Sequence, residues 1–163
     1  MSFEHPVPKN LLTPIGDMTV SFAALELHMQ AVFIFLVDES ARIGHILASQ
    51  LSFARLRTSI LALHKERYGE NSDYLKLKDF MARAAKIEEE RNNITHSFWG
   101  AGELPDTIIR LKITVHSKRG LNSDNKVYSE SMLNDFAASI RQLTDEFIEF
   151  YVALLPLPKT NNP

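Results

Sequence analysis

The chain has 163 residues, 45% of them hydrophobic and 23% charged, with a net charge of −2 and a pI near 6.3; this is the profile of one ordinary globular domain with a real core. That balance supplies no bulk basic field for duplex nucleic acid or an anionic membrane. The absence of cysteine excludes disulfides, thiolate metal sites and cysteine nucleophiles together. No uninterrupted apolar run approaches the roughly 20 residues of a membrane helix, and the first ten residues lack the basic-then-apolar form of a signal peptide. A cytoplasmic protein without membrane contact is expected.

Residues 1–13 carry two prolines ahead of Thr13 and no period, and read as an irregular lead-in. Thr13 and Pro14 suit a helix cap and first position, with Asp17 favouring the dipole. Met18, Phe22, Leu25, Met29, Val32 and Leu36 then recur at steps of four and three, which predicts a helix over 14–37. Its end, residues 31–36, is apolar all round and needs more than one neighbour. Residues 39–48, weakened by Gly44, read as a short helical turn or ordered loop. From Ser49 the period recovers through Leu51, Ala54, Leu56, Ile60, Leu61 and Leu63, and Gly69 supplies a left-handed stop.

Asn71, Ser72 and Asp73 form a turn and cap, and a third long helix is expected from 73 to 98. Leu77, Phe80, Ala84, Ile87, Ile94 and Phe98 form its buried stripe. Arg91 falls in the middle of that stripe, where an arginine is costly unless paired. Asn92 and His96 share a neighbouring flank with Met81 and Ala85, a second surface beside the core stripe. The Gly100–Pro105 segment ends the helix.

From Thr107 to His116, Ile109, Leu111, Ile113 and Val115 alternate with Arg110, Lys112 and Thr114. This predicts a strand with the odd-numbered apolar side covered. Residues 117–125 read as a loop and 126–128 as a short return strand. Ser129 or Ser131 caps a last helix carrying Met132 or Leu133, then Phe136, Ile140, Leu143, Phe147, Tyr151 and Leu154, stopped by Pro156 and Pro158. The expected fold is mainly α: a four-helix up-down bundle over 14–155, with a β-hairpin (about 107–128) inserted before the last helix and a flexible tail at 156–163.

Six histidines invite a metal, but none lies three or four residues from another, and no Glu-x-x-His or His-Glu-x-x-His occurs. The glycines form no phosphate loop, and there is no Gly-x-Ser-x-Gly elbow. No metal or cofactor is expected. Arg91 and His96 remain. An imidazole moves protons near neutrality, and a guanidinium forks onto phosphate oxygens. Together they could cleave an RNA backbone without metal. Five helical positions set them about 7.5 Å apart along the axis and roughly 140° apart in azimuth. Either a loosened helix end or a second copy of the helix would therefore have to bring them together. The plainer reading pairs Arg91 with Glu88 or another acid and has His96 capping the last carbonyls.

The run Arg91-Asn92-Asn93-Ile94-Thr95-His96 resembles the Arg-x(4–6)-His motif of the HEPN superfamily, helical-bundle domains that carry it near the end of the third main helix. The resemblance covers residues 14–155 in helix order, but only some ten residues in motif, and the hairpin has no counterpart in the common core. It implies a metal-independent endoribonuclease acting as a homodimer, often in a toxin–antitoxin or antiviral setting. Arg91 and His96 would be catalytic and Asn92 would orient His96 or substrate. On the hairpin, outside the resemblance, Arg110, Lys112, Lys118 and Arg119 either extend an RNA-contacting surface or, more commonly for such residues, form a solvated strand face. The implied partners are a second copy, RNA, and a separately encoded antitoxin or regulator. Some members of the family lack nuclease activity, so the alternative is a non-catalytic dimeric binding or regulatory module.

Overall fold

The computed structural model describes residues 5, 7–37, 40–116 and 120–154. These form α1 (Lys9–Val37), α2 (Ala41–Ala48), α3 (Phe53–Tyr68), α4 (Ser72–Thr95), β1 (Phe98–Ala101), β2 (Thr107–His116), β3 (Gly120–Ser129) and α5 (Glu130–Leu154). The described chain is mainly helical, with one antiparallel sheet of order β1-β2-β3 between its last two helices. Two compact units result, residues 1–23 with 86–140 and residues 24–85 with 141–163, so α1, α4 and α5 each give a segment to both.

Helix α1 begins at Lys9 and carries Pro14 inside it, rather than starting there as Thr13-Pro14 suggested. Proline deletes one helical bond to the carbonyl of Asn10. The turn ahead of it holds because the Pro8 carbonyl accepts from Leu11 N (3.0 Å) and Leu12 N (3.2 Å) and because Leu11 is fully buried. Tertiary burial outweighs the local preference. By length and composition α1 could cross a membrane: mean hydropathy over its best 18-residue window is 1.8, and 39% of that window is buried. Isolated polar residues interrupt its apolar run without lowering the average, which a search for uninterrupted runs misses. Its stripe is otherwise as expected, with Met18, Phe22, Leu25, Met29, Val32 and Leu36 all buried.

Residues 41–48 form a true helix. Ser40 caps it by accepting from Ile43 N at 3.4 Å, and Gly44 lies against Ile34 of α1. Ser52 caps α3, and Gly69 ends it at φ 76°, ψ −176°, an extended positive-φ conformation open essentially to glycine alone rather than the left-handed helical one expected. Asn71 caps α4, its side-chain oxygen accepting from Asp73 N and Tyr74 N at 3.1 and 2.9 Å. Within the second unit, Phe80 meets Phe147 and Phe150 at ring separations of 5.9 and 5.4 Å. Arg83 covers the Phe80 ring and pairs with Glu146 at 2.7 Å. Met81, placed by the sequence on an outer flank, is buried there, and its carbonyl accepts from Arg57 at 3.3 Å.

The third long helix stops at Thr95, and Phe98–Ala101 become a strand paired with Leu111–Ile108. Gly102 makes the return possible. A Cβ there would stand 2.1 Å from Thr107 Oγ1 and 2.8 Å from the Thr107 carbonyl, whose oxygen takes the Gly102 N–H at 3.0 Å. The expected hairpin is present, with β2 and β3 paired from Thr107–Ser129 to His116–Gly120.

Its facing is the reverse of the expectation. Directly opposed residues share a face, so one face carries Trp99, Ile108, Arg110, Lys112, Lys126 and Tyr128 and the other Phe98, Ile109, Leu111, Ile113 and Val127. The first face is the covered one: Ile108, Arg110 and Tyr128 are buried, whereas Phe98 and Ile113 are 72% and 48% exposed. The reason lies in α4, which presents Glu90 and Asn93 to the sheet. Lys112 donates to Asn93 Oδ1 at 2.6 Å, and Lys126 and Tyr128 donate to Glu90 at 2.5 and 2.8 Å. A polar helix surface selects strand residues that combine aliphatic stems with polar heads. Apolar alternation alone carries no information about the helix opposite.

Candidate active site at the end of helix α4

The last turn of α4 is closed by its own successors. The Asn92 carbonyl accepts from His96 N at 3.1 Å, that of Asn93 from Ser97 Oγ at 2.6 Å, and that of Ile94 from Trp99 Nε1 at 3.2 Å. A helix leaves its final carbonyls without internal partners; here a serine hydroxyl and an indole take two of them. Trp99 also meets the ring of Tyr128 at 5.5 Å, edge to face. The imidazole of His96 is therefore not needed as a cap. It is exposed and makes no side-chain bond among the described residues.

Arg91 is half-buried. Its Cζ lies 4.5 Å from the centroid of the Phe22 ring, and its Nη1 donates to Asn92 Oδ1 at 2.8 Å. A cation over an aromatic face is attracted by the ring quadrupole, and Phe22 was not recognisable as that platform from sequence, where it read as core alone. The Arg91 Nε is buried without a partner. Among the described residues, an amide and a ring hold this guanidinium. Asn92 is tied to Arg91 rather than to His96.

The helical bond from His96 N to Asn92 O shows that α-geometry persists through residue 96. The two side chains consequently leave the helix about 140° apart, and no loosening of the helix end reorients them within one chain.

The basic residues of the sheet fare differently. Arg110 is only 2% exposed and pairs with Asp124, so it is not a surface contact for RNA. Its Nε and Nη1 are buried without partners. Lys112 is half-buried and committed to Asn93. Lys118 and Arg119 lie outside the described residues. What the sequence reading missed is the cluster these cations join. Burial pushes the Glu90 carboxyl up, but the bonds from Lys126 and Tyr128 outweigh it and hold the group below the usual carboxylate range. Burial and the same carboxylate push the Tyr128 phenol up, so it stays protonated and donating. The signal was available: Glu90 and Asn93 are three apart on α4 and face one way.

No group of three or more metal-ligating side chains is found among the described residues. Comparison with protein-family models, with curated proteins and with solved structures finds no match to this chain.

Proposed function

We propose that this chain is a metal-independent endoribonuclease of the HEPN type, working as a homodimer in the cytoplasm, with its helices in the up-down four-helix arrangement of that family. The observation that carries the reading is the pairing of an exposed imidazole and an arginine held, among the described residues, by an amide and an aromatic ring, five residues apart at one helix end. His96 takes the proton from a ribose 2′-hydroxyl or returns one to the 5′-oxygen that leaves. Arg91 stabilises the charge that builds on the phosphorus-bound oxygens. Attack of the 2′-oxygen on phosphorus breaks the bond to the 5′-oxygen and leaves a 2′,3′-cyclic phosphate and a 5′-hydroxyl. Because the two side chains diverge on their own helix, Arg91 of one copy serves with His96 of the other. Single-stranded RNA suits this chemistry, since in-line attack needs a backbone free to rotate.

Asn92 fixes the guanidinium in this reading, a narrower role than orienting the imidazole. A toxin–antitoxin or phage-defence setting, with an antitoxin covering the site, is consistent with such an activity. The test is cleavage of a mixed RNA pool in EDTA by the parent, His96→Ala and Arg91→Ala. Activity that survives EDTA and is lost in both variants supports the enzyme. Equal cleavage by all three proteins refutes it.

The exposed apolar face of the sheet, with Phe98, Ile113 and Val127, favours a second reading, a non-catalytic module that associates through that face. No cleavage by a protein that sediments as a dimer, and becomes monomeric on Phe98→Ser, would select it.

A further inference from the structure

The second unit contains a cavity of about 150 Å³ lined by Phe35, His64, Tyr68, Asn71, Asp73 and Tyr151. Two of its walls are polar groups with nothing to bond. His64 is 2% and Tyr151 5% exposed, and both His64 Nδ1 and the Tyr151 hydroxyl are buried without a partner. Orphaned buried polar atoms are uncommon and call for a partner that the described residues do not supply. A neighbouring cavity of similar size, lined by Ala31, Val32 and Phe147 with His28 as its one imidazole, shares Phe35 and Tyr151 as its wall.

We propose that the two cavities together form a binding site for a small protonated amine with an apolar tail, the ammonium seated among Phe35, Tyr68 and Tyr151 with Asp73 as counter-charge. Aromatic faces attract cations, and the ammonium hydrogens satisfy the Tyr151 oxygen and the imidazole nitrogen. The sign of the charge follows from the helix end nearby. The first amides of α4, which would otherwise draw an anion, are already occupied: Asn71 accepts from Asp73 N, Tyr74 N and Leu75 N. Asp73 is held only loosely by Lys76, at 3.4 Å. Burial lowers the pKa of His64 against the opposing pull of Asp73, which keeps the imidazole neutral and adds no competing positive charge. An apolar cavity of about 150 Å³ admits a benzene-sized group, so each half takes roughly six heavy atoms.

Phenethylamine is the probe, with 2-phenylethanol and phenylacetate as neutral and anionic isosteres. Calorimetric titration and thermal melts of the whole protein should show saturable binding of the amine alone. Asp73→Asn should weaken it about tenfold, as loss of one partly exposed charge pair implies. Asp79→Asn, an exposed acid on the same helix paired with Arg83, should leave it unchanged. The idea is overturned if alcohol or carboxylate bind as well as the amine, or if Asp73→Asn binds it like the parent. It is equally overturned if none of the three binds, in which case the orphaned atoms are served by water only.

Discussion

Replacing Arg110 with methionine should make the protein more stable. The side chain is 3% exposed, with Nε and Nη1 buried and unpartnered, and its one salt-bridge partner, Asp124, is 60% exposed. Each unsatisfied buried donor costs about 1–3 kcal/mol, whereas the released Asp124 returns to water and an exposed-partner ion pair contributes roughly 0–1 kcal/mol. A methionine keeps most of the stem's packing, so a gain of about 1–3 kcal/mol is expected, in line with buried ion pairs replaced by apolar side chains. For a chain of this length that raises the midpoint by roughly 2–4 °C per kcal/mol. Arg110→Ala keeps the electrostatic gain but leaves a cavity, and should fall below the methionine variant by about 2 kcal/mol or more. A companion pair reads the same facing through apolar residues. Ile108→Ala should cost about 2–5 kcal/mol and Ile113→Ala under about 1 kcal/mol, since Ile108 is fully buried and Ile113 half exposed. Urea titrations with an unchanged slope measure all four. Equal midpoints for the two Arg110 variants, or a larger loss at Ile113 than at Ile108, would show the sheet facing the other way.

The remaining expectations are smaller. His96→Ala should change stability by less than about 0.5 kcal/mol, because nothing in the fold rests on the imidazole, while RNA cleavage in EDTA disappears. Glu90 has a folded-state pKa held below its unfolded value, so its contribution is complete above the unfolded value and is lost as pH falls through the folded one. Glu90→Gln should therefore lower stability at pH 7 and flatten the decline as pH falls below the ordinary glutamate range, followed by denaturant titration at several pH values. Gly44→Ala should destabilise despite the better helix propensity of alanine, because the new methyl would stand 2.7 Å from Ile34 Cγ2. A thermal midpoint at or above the parent's would refute that packing.

Helix positions were legible from the sequence because burial there follows a period the chain carries within itself: Met18 through Leu36 and Leu77 through Ile94 are buried as spaced. The ends were less so. Residues 9–13 fold ahead of Pro14, and Phe98 leaves the helix for a strand, each owing to a neighbour distant in sequence. The facing of β2 was illegible for the same reason, since it is set by Glu90 and Asn93 on another element. Arg91 and His96 could be picked out as chemically unusual, but the Phe22 platform and the taking of the Asn93 and Ile94 carbonyls by Ser97 and Trp99 could not. Those are facts about partners, and residue spacing records only one side of a contact.

The bare side of the sheet begins with Phe98, two residues beyond His96, a stretch of chain that spans at most about 7 Å. Whatever covers Phe98 therefore lies within that short reach of the His96 backbone. Under the function proposed above, cover on that face and access to the imidazole are tied together by the shortness of a single link.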